Sequence, residues 1–198
     1  MPARIAVLAS GGGTNLQALL DHFNASASAI ARVELLVASR PGIAALDRAA
    51  RAAVPALVLS GREMGPERFV RELLDELEAA AIDLIVLAGY LQMIPAELVE
   101  RYRGRIINIH PALLPAFGGH GMYGLRVHQA VIEAGVRISG ATVHLIDERY
   151  DEGKILAQWP VPVLPDDTPE SLAARILRVE HVLLPRAIET MLQTRTGD

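Results

Sequence analysis

Short, mostly apolar blocks alternate along this chain with stretches of helical spacing. Residues 4–9, 33–39, 56–59, 82–88 and 105–109 are apolar blocks bounded by glycine, proline or polar residues. Such blocks are expected of strands covered on both faces. After the first block, Leu16, Leu19, Leu20 and Phe23 recur at helical spacing. Residues 43–53 read as an alanine-rich helix, and Phe69, Leu73, Leu74 and Leu77 mark one face of a helix over 66–80. Pro95 opens a short helix before the fifth block. Four or five strand–helix units in succession predict an α/β fold with a mostly parallel, doubly wound, Rossmann-like sheet.

The second part is less regular. A glycine- and proline-rich loop over 113–123 precedes a helix over 126–134 and strands over 141–146 and 155–163. Thr168 caps a final helix that Pro169 opens and that runs toward Met191. The expectation is one domain of two halves, about 1–104 and 105–198, with an irregular C-terminal part.

Composition narrows the function classes. Hydrophobic residues make up 51% of the 198, enough for a sizeable core, yet no run of 18 uncharged apolar residues exists. The first residues, Met1-Pro2-Ala3-Arg4-Ile5, enter a strand without a signal-peptide layout, so a cytoplasmic location is expected. Cysteine is absent, which excludes disulfides, a cysteine nucleophile and cysteine-held metal. The net charge of −4 comes without any basic block, so no nucleic-acid partner and no membrane partner are expected. The six histidines show no metal-binding spacing, and no metal is predicted.

The block Ile106-Ile107-Asn108-Ile109-His110-Pro111 carries the sharpest chemical signal. Side chains alternate along a strand, so Asn108 and His110 share a face. Pro111 keeps His110 extended and stops the strand. A polar residue in an apolar strand is costly unless hydrogen-bonded or used. Two readings fit: a satisfied core asparagine beside a stray histidine, or an amide and an imidazole delivered together to a site.

Other motifs also leave two readings open. Ser10-Gly11-Gly12-Gly13-Thr14-Asn15 follows the first strand and opens the first helix, where free N–H groups favour an anion. It matches neither a dinucleotide fingerprint nor a Walker A loop, so it reads as a cradle for a mononucleotide or sugar phosphate, or as a tight turn capped by Thr14. Residues 147–153, Asp-Glu-Arg-Tyr-Asp-Glu-Gly, form either a solvated loop or one folded over a site. His144, between Val143 and Leu145, is a structural strand histidine or a supporting site residue. Glu180-His181 reads as a surface pair or part of a site.

Taken together, these residues resemble a known family. Ser10-Gly11-Gly12-Gly13-Thr14-Asn15-Leu16-Gln17, Leu87-Ala88-Gly89-Tyr90, Asn108-Ile109-His110-Pro111-Ala112-Leu113-Leu114-Pro115, Thr142-Val143-His144, Asp151-Glu152-Gly153 and Glu180-His181 are similar to the motifs of the phosphoribosylglycinamide formyltransferases, folate-dependent enzymes of purine synthesis. The similarity runs over nearly the whole length and implies the formyltransferase fold. It implies transfer of the formyl group of 10-formyltetrahydrofolate to glycinamide ribonucleotide, with the folate as co-substrate, and leaves monomer and homodimer open. Within the family pattern, Asn108, His110 and Asp151 match the catalytic trio. Gly12, Gly13, Thr14, Asn15 and Glu180 match the ribonucleotide phosphate region. Leu91, Gln92, Met93, Ile94, Asp147, Glu148, Tyr150 and Gly153 match the folate pocket, and Leu114-Pro115 is expected to be cis. The first half would then bind the nucleotide phosphate, and the second would hold the catalytic and folate residues.

Two departures stand out. Some relatives carry arginine where Gln92 stands, and the loop over 117–125 is longer than the turn of other members. Related formyl-folate enzymes that act on tRNA or on water would carry a large basic C-terminal domain or an extra N-terminal domain. The expectation here is a small phosphorylated acceptor.

Overall fold

The computed structural model describes residues 1–25, 28–147 and 151–195. Its sheet has seven strands: β1 (Ala3–Ala9), β2 (Ala31–Ala38), β3 (Ala56–Val58), β4 (Leu84–Leu87), β5 (Ile106–His110), β6 (Ile138–Leu145) and β7 (Ile155–Pro162). Their order is β3-β2-β1-β4-β5-β6-β7. The first five pair in parallel, and β6 and β7 add on antiparallel. The expected doubly wound sheet is present, with an antiparallel extension that the apolar pattern did not specify.

The helices are α1 (Thr14–Leu19), α2 (Ala44–Arg51), α3 (Gly61–Met64), α4 (Pro66–Ala79), α5 (Ala96–Arg101), α6 (Leu125–Glu133) and α7 (Pro169–Arg195). A π-helical stretch, Leu20–Ala25, continues α1. Thr168 caps α7 as expected: its Oγ1 accepts from Ser171 N–H at 3.2 Å, and Ser171 Oγ accepts from Thr168 N–H at 3.0 Å. At α1 the cap is Gly13, left-handed at φ 69°, rather than Thr14.

The apolar runs sort by parity onto two faces. Ile5, Val7 and Ala9 of β1 join Leu84 and Val86 of β4 and Ile107 and Ile109 of β5 in one core, which α1, α2 and α7 cover. Ala6, Leu8, Ile85, Leu87 and Ile106 face the other way, against Phe69, Leu73 and Leu77 of α4 and Leu98 of α5. Covering both faces removes most period-2 polar positions, which is why these strands are mostly apolar along their buried length. Asn108 and His110 have the parity of Ile106. They extend the α4–α5 face past the point where its apolar core ends.

The carboxyl ends of β1, β4 and β5 lie side by side, where the strand order reverses between β1 and β4. Open α/β sheets place their ligand crevice at this position. Gly13 lets α2 dock there. A Cβ on it would fall 2.7 Å from Ala45 Cα, and its left-handed φ already disfavours a side chain.

α6 carries a buried histidine. His128 is 4% exposed, and its Nδ1 has no hydrogen-bond partner among the described residues. Burial, and secondarily the nearby His110, hold its pKa down at about 4. The unfolded chain titrates near the ordinary histidine value, so below it the unfolded state binds a proton that the native state refuses. Stability should therefore fall as pH drops from about 6.5 toward 4, by roughly 3 kcal/mol at most from this group. Urea titrations across that range should give a flatter pH profile for His128→Gln than for the parent. Parallel profiles would contradict the assignment.

Candidate active site

The strand register builds the centre of the site. In the antiparallel β5–β6 pair, Asn108 stands opposite His144 and His110 opposite Thr142. Asn108 Nδ2 lies 3.1 Å from His144 Nε2, and His144 Nδ1 lies 3.0 Å from the Leu145 carbonyl oxygen. A carbonyl only accepts, so Nδ1 carries the proton and Nε2 accepts from the Asn108 amide. This tautomer needs a neutral ring. Complete burial holds the His144 pKa below the ordinary histidine value, outweighing the opposite pull of Asp151. His144 thus orients the Asn108 amide, whose second N–H and carbonyl oxygen remain for a ligand.

His110 is fixed from the other side. Its Nε2–H donates to the Phe117 carbonyl at 2.9 Å. Nδ1 faces Asp151, with Oδ2 3.7 Å away. Asp151 Oδ2 also accepts from Gly119 N–H at 2.9 Å, and Oδ1 lies 3.5 Å from His144 Nε2. One carboxylate thus sits between two imidazoles. Phe117 and Asp151 both adopt left-handed backbone, at φ 57° and 55°. Non-glycine residues in this region are uncommon and cluster at functional sites.

The loop after β5 is tied down by Thr142, which is fully buried. Its Oγ1 donates to the Ala112 carbonyl at 2.6 Å and accepts from Leu114 N–H at 3.0 Å. Gln158 Nε2 donates to the Leu114 carbonyl at 2.8 Å. The Leu114–Pro115 bond is cis, as expected.

Asn108, His110 and Asp151 open into a cavity of about 360 Å³, within the usual range for small-molecule sites. Leu91, Gln92, Met93, Ile94 and Asp147, which the resemblance assigns to a folate pocket, line it. Leu91 and Met93 are 60% and 67% exposed and form its apolar mouth. The sequence reading missed Tyr90, Met122 and Tyr123 on the same wall. Burial pushes the Tyr90 phenol up to about 12, so it stays protonated. Gln92 turns inward: its Oε1 accepts from Tyr90 Oη at 3.3 Å and from Gly61 N–H at 3.4 Å.

Gly153 does not line the cavity. A Cβ there would fall 1.8 Å from the Leu145 carbonyl oxygen, so this glycine lets the chain after Asp151 pack against the end of β6. Glu148 and Tyr150 lie outside the described residues.

The glycine turn lies next to the cavity. Leu91 N–H donates to Ser10 Oγ at 2.9 Å, and Ser10 N–H to the Gly89 carbonyl at 3.2 Å. Asn15 Nδ2 donates to Glu180 Oε2 at 2.7 Å, while Asn15 Oδ1 is buried and has no partner among the described residues. Glu180 is only 7% exposed, so the surface-pair reading is overturned for it. Burial raises its carboxyl pKa, and the Asn15 bond offsets part of that. Among the described residues no group of three or more His, Asp or Glu is arranged to hold a metal ion. No helix among them is long and apolar enough to cross a membrane.

Known proteins share both sequence and shape with this chain. It is 44% identical over 191 residues to the trifunctional purine biosynthetic protein adenosine-3 of Drosophila melanogaster, covering 96% of this chain and 14% of that protein. It is 43% identical over 194 residues to the chloroplastic phosphoribosylglycinamide formyltransferase of Arabidopsis thaliana, covering 97% and 66%. The chain thus spans less than two thirds of the length of these relatives. Among solved structures, glycinamide ribonucleotide transformylase 1 from Symbiobacterium toebii superposes with a TM-score of 0.90 at 39% identity, over 98% of this chain and 89% of that one. The Geobacillus kaustophilus enzyme of the same name gives 0.88 at 43%, over 97% and 100%. With the formyl transferase model matching residues 3–188, the chain belongs to the formyl transferase family.

Proposed function

We propose that this chain transfers the formyl group of 10-formyltetrahydrofolate to the amino group of glycinamide ribonucleotide. The products are formylglycinamide ribonucleotide and tetrahydrofolate, as in de novo purine synthesis. The observation that carries the reading is the meeting of Asn108, His110 and Asp151 on one wall of a cavity with an apolar mouth. The names of its relatives point to the same acceptor.

An amine attacking a formyl carbon puts negative charge on the formyl oxygen and leaves a surplus proton on nitrogen. The free Asn108 N–H serves the oxygen without changing charge. His110 can donate only from Nδ1, because Nε2–H is committed to Phe117, so the donating form is the imidazolium. Asp151 stabilises that cation and accepts the amine's proton through a water, and the same proton goes to the folate nitrogen as the bond between it and the formyl carbon breaks. No side chain forms a covalent bond, in keeping with the absence of cysteine and of a serine nucleophile elbow.

Leu91, Gln92, Met93, Ile94, Asp147, Glu148 and Tyr150 are assigned to the folate, with Gly153 acting through the backbone. Gly12, Gly13, Thr14, Asn15 and Glu180 are assigned to the ribonucleotide. The unpartnered Asn15 Oδ1 and the Glu180 carboxyl suit its hydroxyl or amide N–H groups. We also assign the chain to one domain of two halves, about 1–104 and 105–198. We place it in the cytoplasm, as a monomer or homodimer acting on small molecules without nucleic acid or membrane.

Mixing the protein with 10-formyltetrahydrofolate and following the absorbance of the deformylated folate tests this directly. Turnover is expected only when glycinamide ribonucleotide is present. Release with water alone, or no turnover, would overturn the reading. Asn108→Ala should lower kcat by about 10²–10³-fold, the usual cost of one oxyanion donor. His110→Ala and Asp151→Asn should lose roughly 100-fold or more by removing the acid–base groups. Near-wild-type turnover in any of the three would remove its assigned role. Gly153→Ala should cost about 1–3 kcal/mol of stability from overpacking and lower kcat by displacing Asp151. A folded variant with unchanged kcat would show that the backbone contact does not place the carboxylate.

A further inference from the structure

The glycine turn contains no cationic residue of its own between Ser10 and Asn15. The fold supplies one from α2. Ala45 N–H donates to the Gly11 carbonyl at 3.3 Å, seating the helix on the turn. One turn along, Arg48 Nε donates to the Gly12 carbonyl at 2.8 Å and Nη1 to Gln17 Oε1 at 3.2 Å. Its Nη2 amino group has no protein partner among the described residues.

α7 brings a histidine to the same cleft. His181 Nε2 is shut off from water and has no hydrogen-bond partner among the described residues. Arg48, His181, Thr14 and Gln17 line one open cleft of about 510 Å³. Side chains added at Gly11 or Gly12 would meet nothing within 4 Å, so the turn itself faces open space. Two acidic groups at the cleft are already held by side-chain partners. Asp21 accepts from Gln17 Nε2 at 2.8 Å, and His22 stands 2.8 Å from Glu189. Of the residues lining the cleft, Arg48 is the cation bonded to the glycine turn. Burial first, and the Arg48 charge second, hold the His181 pKa below the ordinary histidine value, and an anion beside Arg48 would add a charge-assisted hydrogen bond there.

We propose that Arg48, flanked by His181, is the cation that holds the phosphomonoester of the acceptor and selects phosphorylated acceptors over neutral ones. The inference rests on the acceptor assigned under Proposed function and adds the residue that discriminates its charge. Arg48 touches neither the formyl donor's cavity nor the Asn108–His110–Asp151 cluster, so its effect belongs in acceptor binding.

Steady-state kinetics of Arg48→Ala and Arg48→Lys, varying each substrate separately, test this. Arg48→Ala should raise KM for glycinamide ribonucleotide by about 10- to 100-fold, the range for losing a hydrogen bond to a charged group. The kcat at saturation and the KM for 10-formyltetrahydrofolate should stay within about threefold, since uniform binding alone is removed. Arg48→Lys should recover part of the loss, because a point charge returns without the fork. Ribose 5-phosphate, followed by calorimetry, should bind the parent and bind Arg48→Ala more weakly. Unchanged acceptor KM and unchanged ribose 5-phosphate affinity would overturn the proposal. So would an equal loss of kcat and of both KM values in the alanine and lysine variants, which would mark Arg48 as a brace for the turn. If the parent fails to turn over glycinamide ribonucleotide, the proposed function falls, while the ribose 5-phosphate comparison still decides the anion site.

Discussion

The site depends on the antiparallel return of β6 against β5. Up to β5 the sheet is parallel. Reversing the next strand puts two fully buried polar side chains, Thr142 and His144, directly opposite His110 and Asn108. Polar groups so deep are costly unless satisfied. Here each pays its way structurally: Thr142 fixes the loop after β5, and His144 fixes the Asn108 amide. A slip of one residue would turn both onto the wrong face and abolish the arrangement at once.

Much of the parallel core was legible because burial on both faces writes itself as continuous apolar runs. The α4 face was legible from Phe69, Leu73 and Leu77, all of which are buried in the structure. Three features carried no such signal. α3 is four residues long, too short for a period to show. The π-helical stretch after α1 keeps its Leu20 and Phe23 buried, so its hydrophobic spacing passes for ordinary helix. β6 begins at Ile138, several residues before the expected start, because Ser139 and Gly140 break the apolar run although both are buried. Composition reports polarity, whereas pairing is decided by backbone register.

The candidate site divides along the same line. Asn108 and His110 could be placed together from strand alternation alone, since two residues along one strand must share a face. Asp151 could not, because its position depends on a backbone N–H from Gly119 and on the close approach that Gly153 permits. Neither contact leaves a mark in the spacing of side-chain types. The same holds for the Phe117 carbonyl that decides which nitrogen of His110 can donate. Arg48 is the extreme case: a helix residue 36 positions from its partner carbonyl, recognisable only once α2 is seated on the glycine turn.

A reaction without a covalent intermediate places heavy demands on juxtaposition. Fixing two reactants in attack geometry can supply about 7–11 kcal/mol of the barrier, but only if both binding loops hold a constant separation. In this fold the connection is a single buried hydroxyl. Ser10 belongs to the end of β1 that opens the glycine turn, and its Oγ accepts from Leu91 N–H at 2.9 Å, on the loop that walls the cavity. Ser39, at the end of β2, donates to the same oxygen at 2.8 Å. All three groups lie at carboxyl ends of neighbouring strands, so the sheet itself sets their spacing. The rigid element between the two ligands is therefore the carboxyl edge of the sheet rather than either loop, so the distance between the ligands does not depend on the loops being stiff.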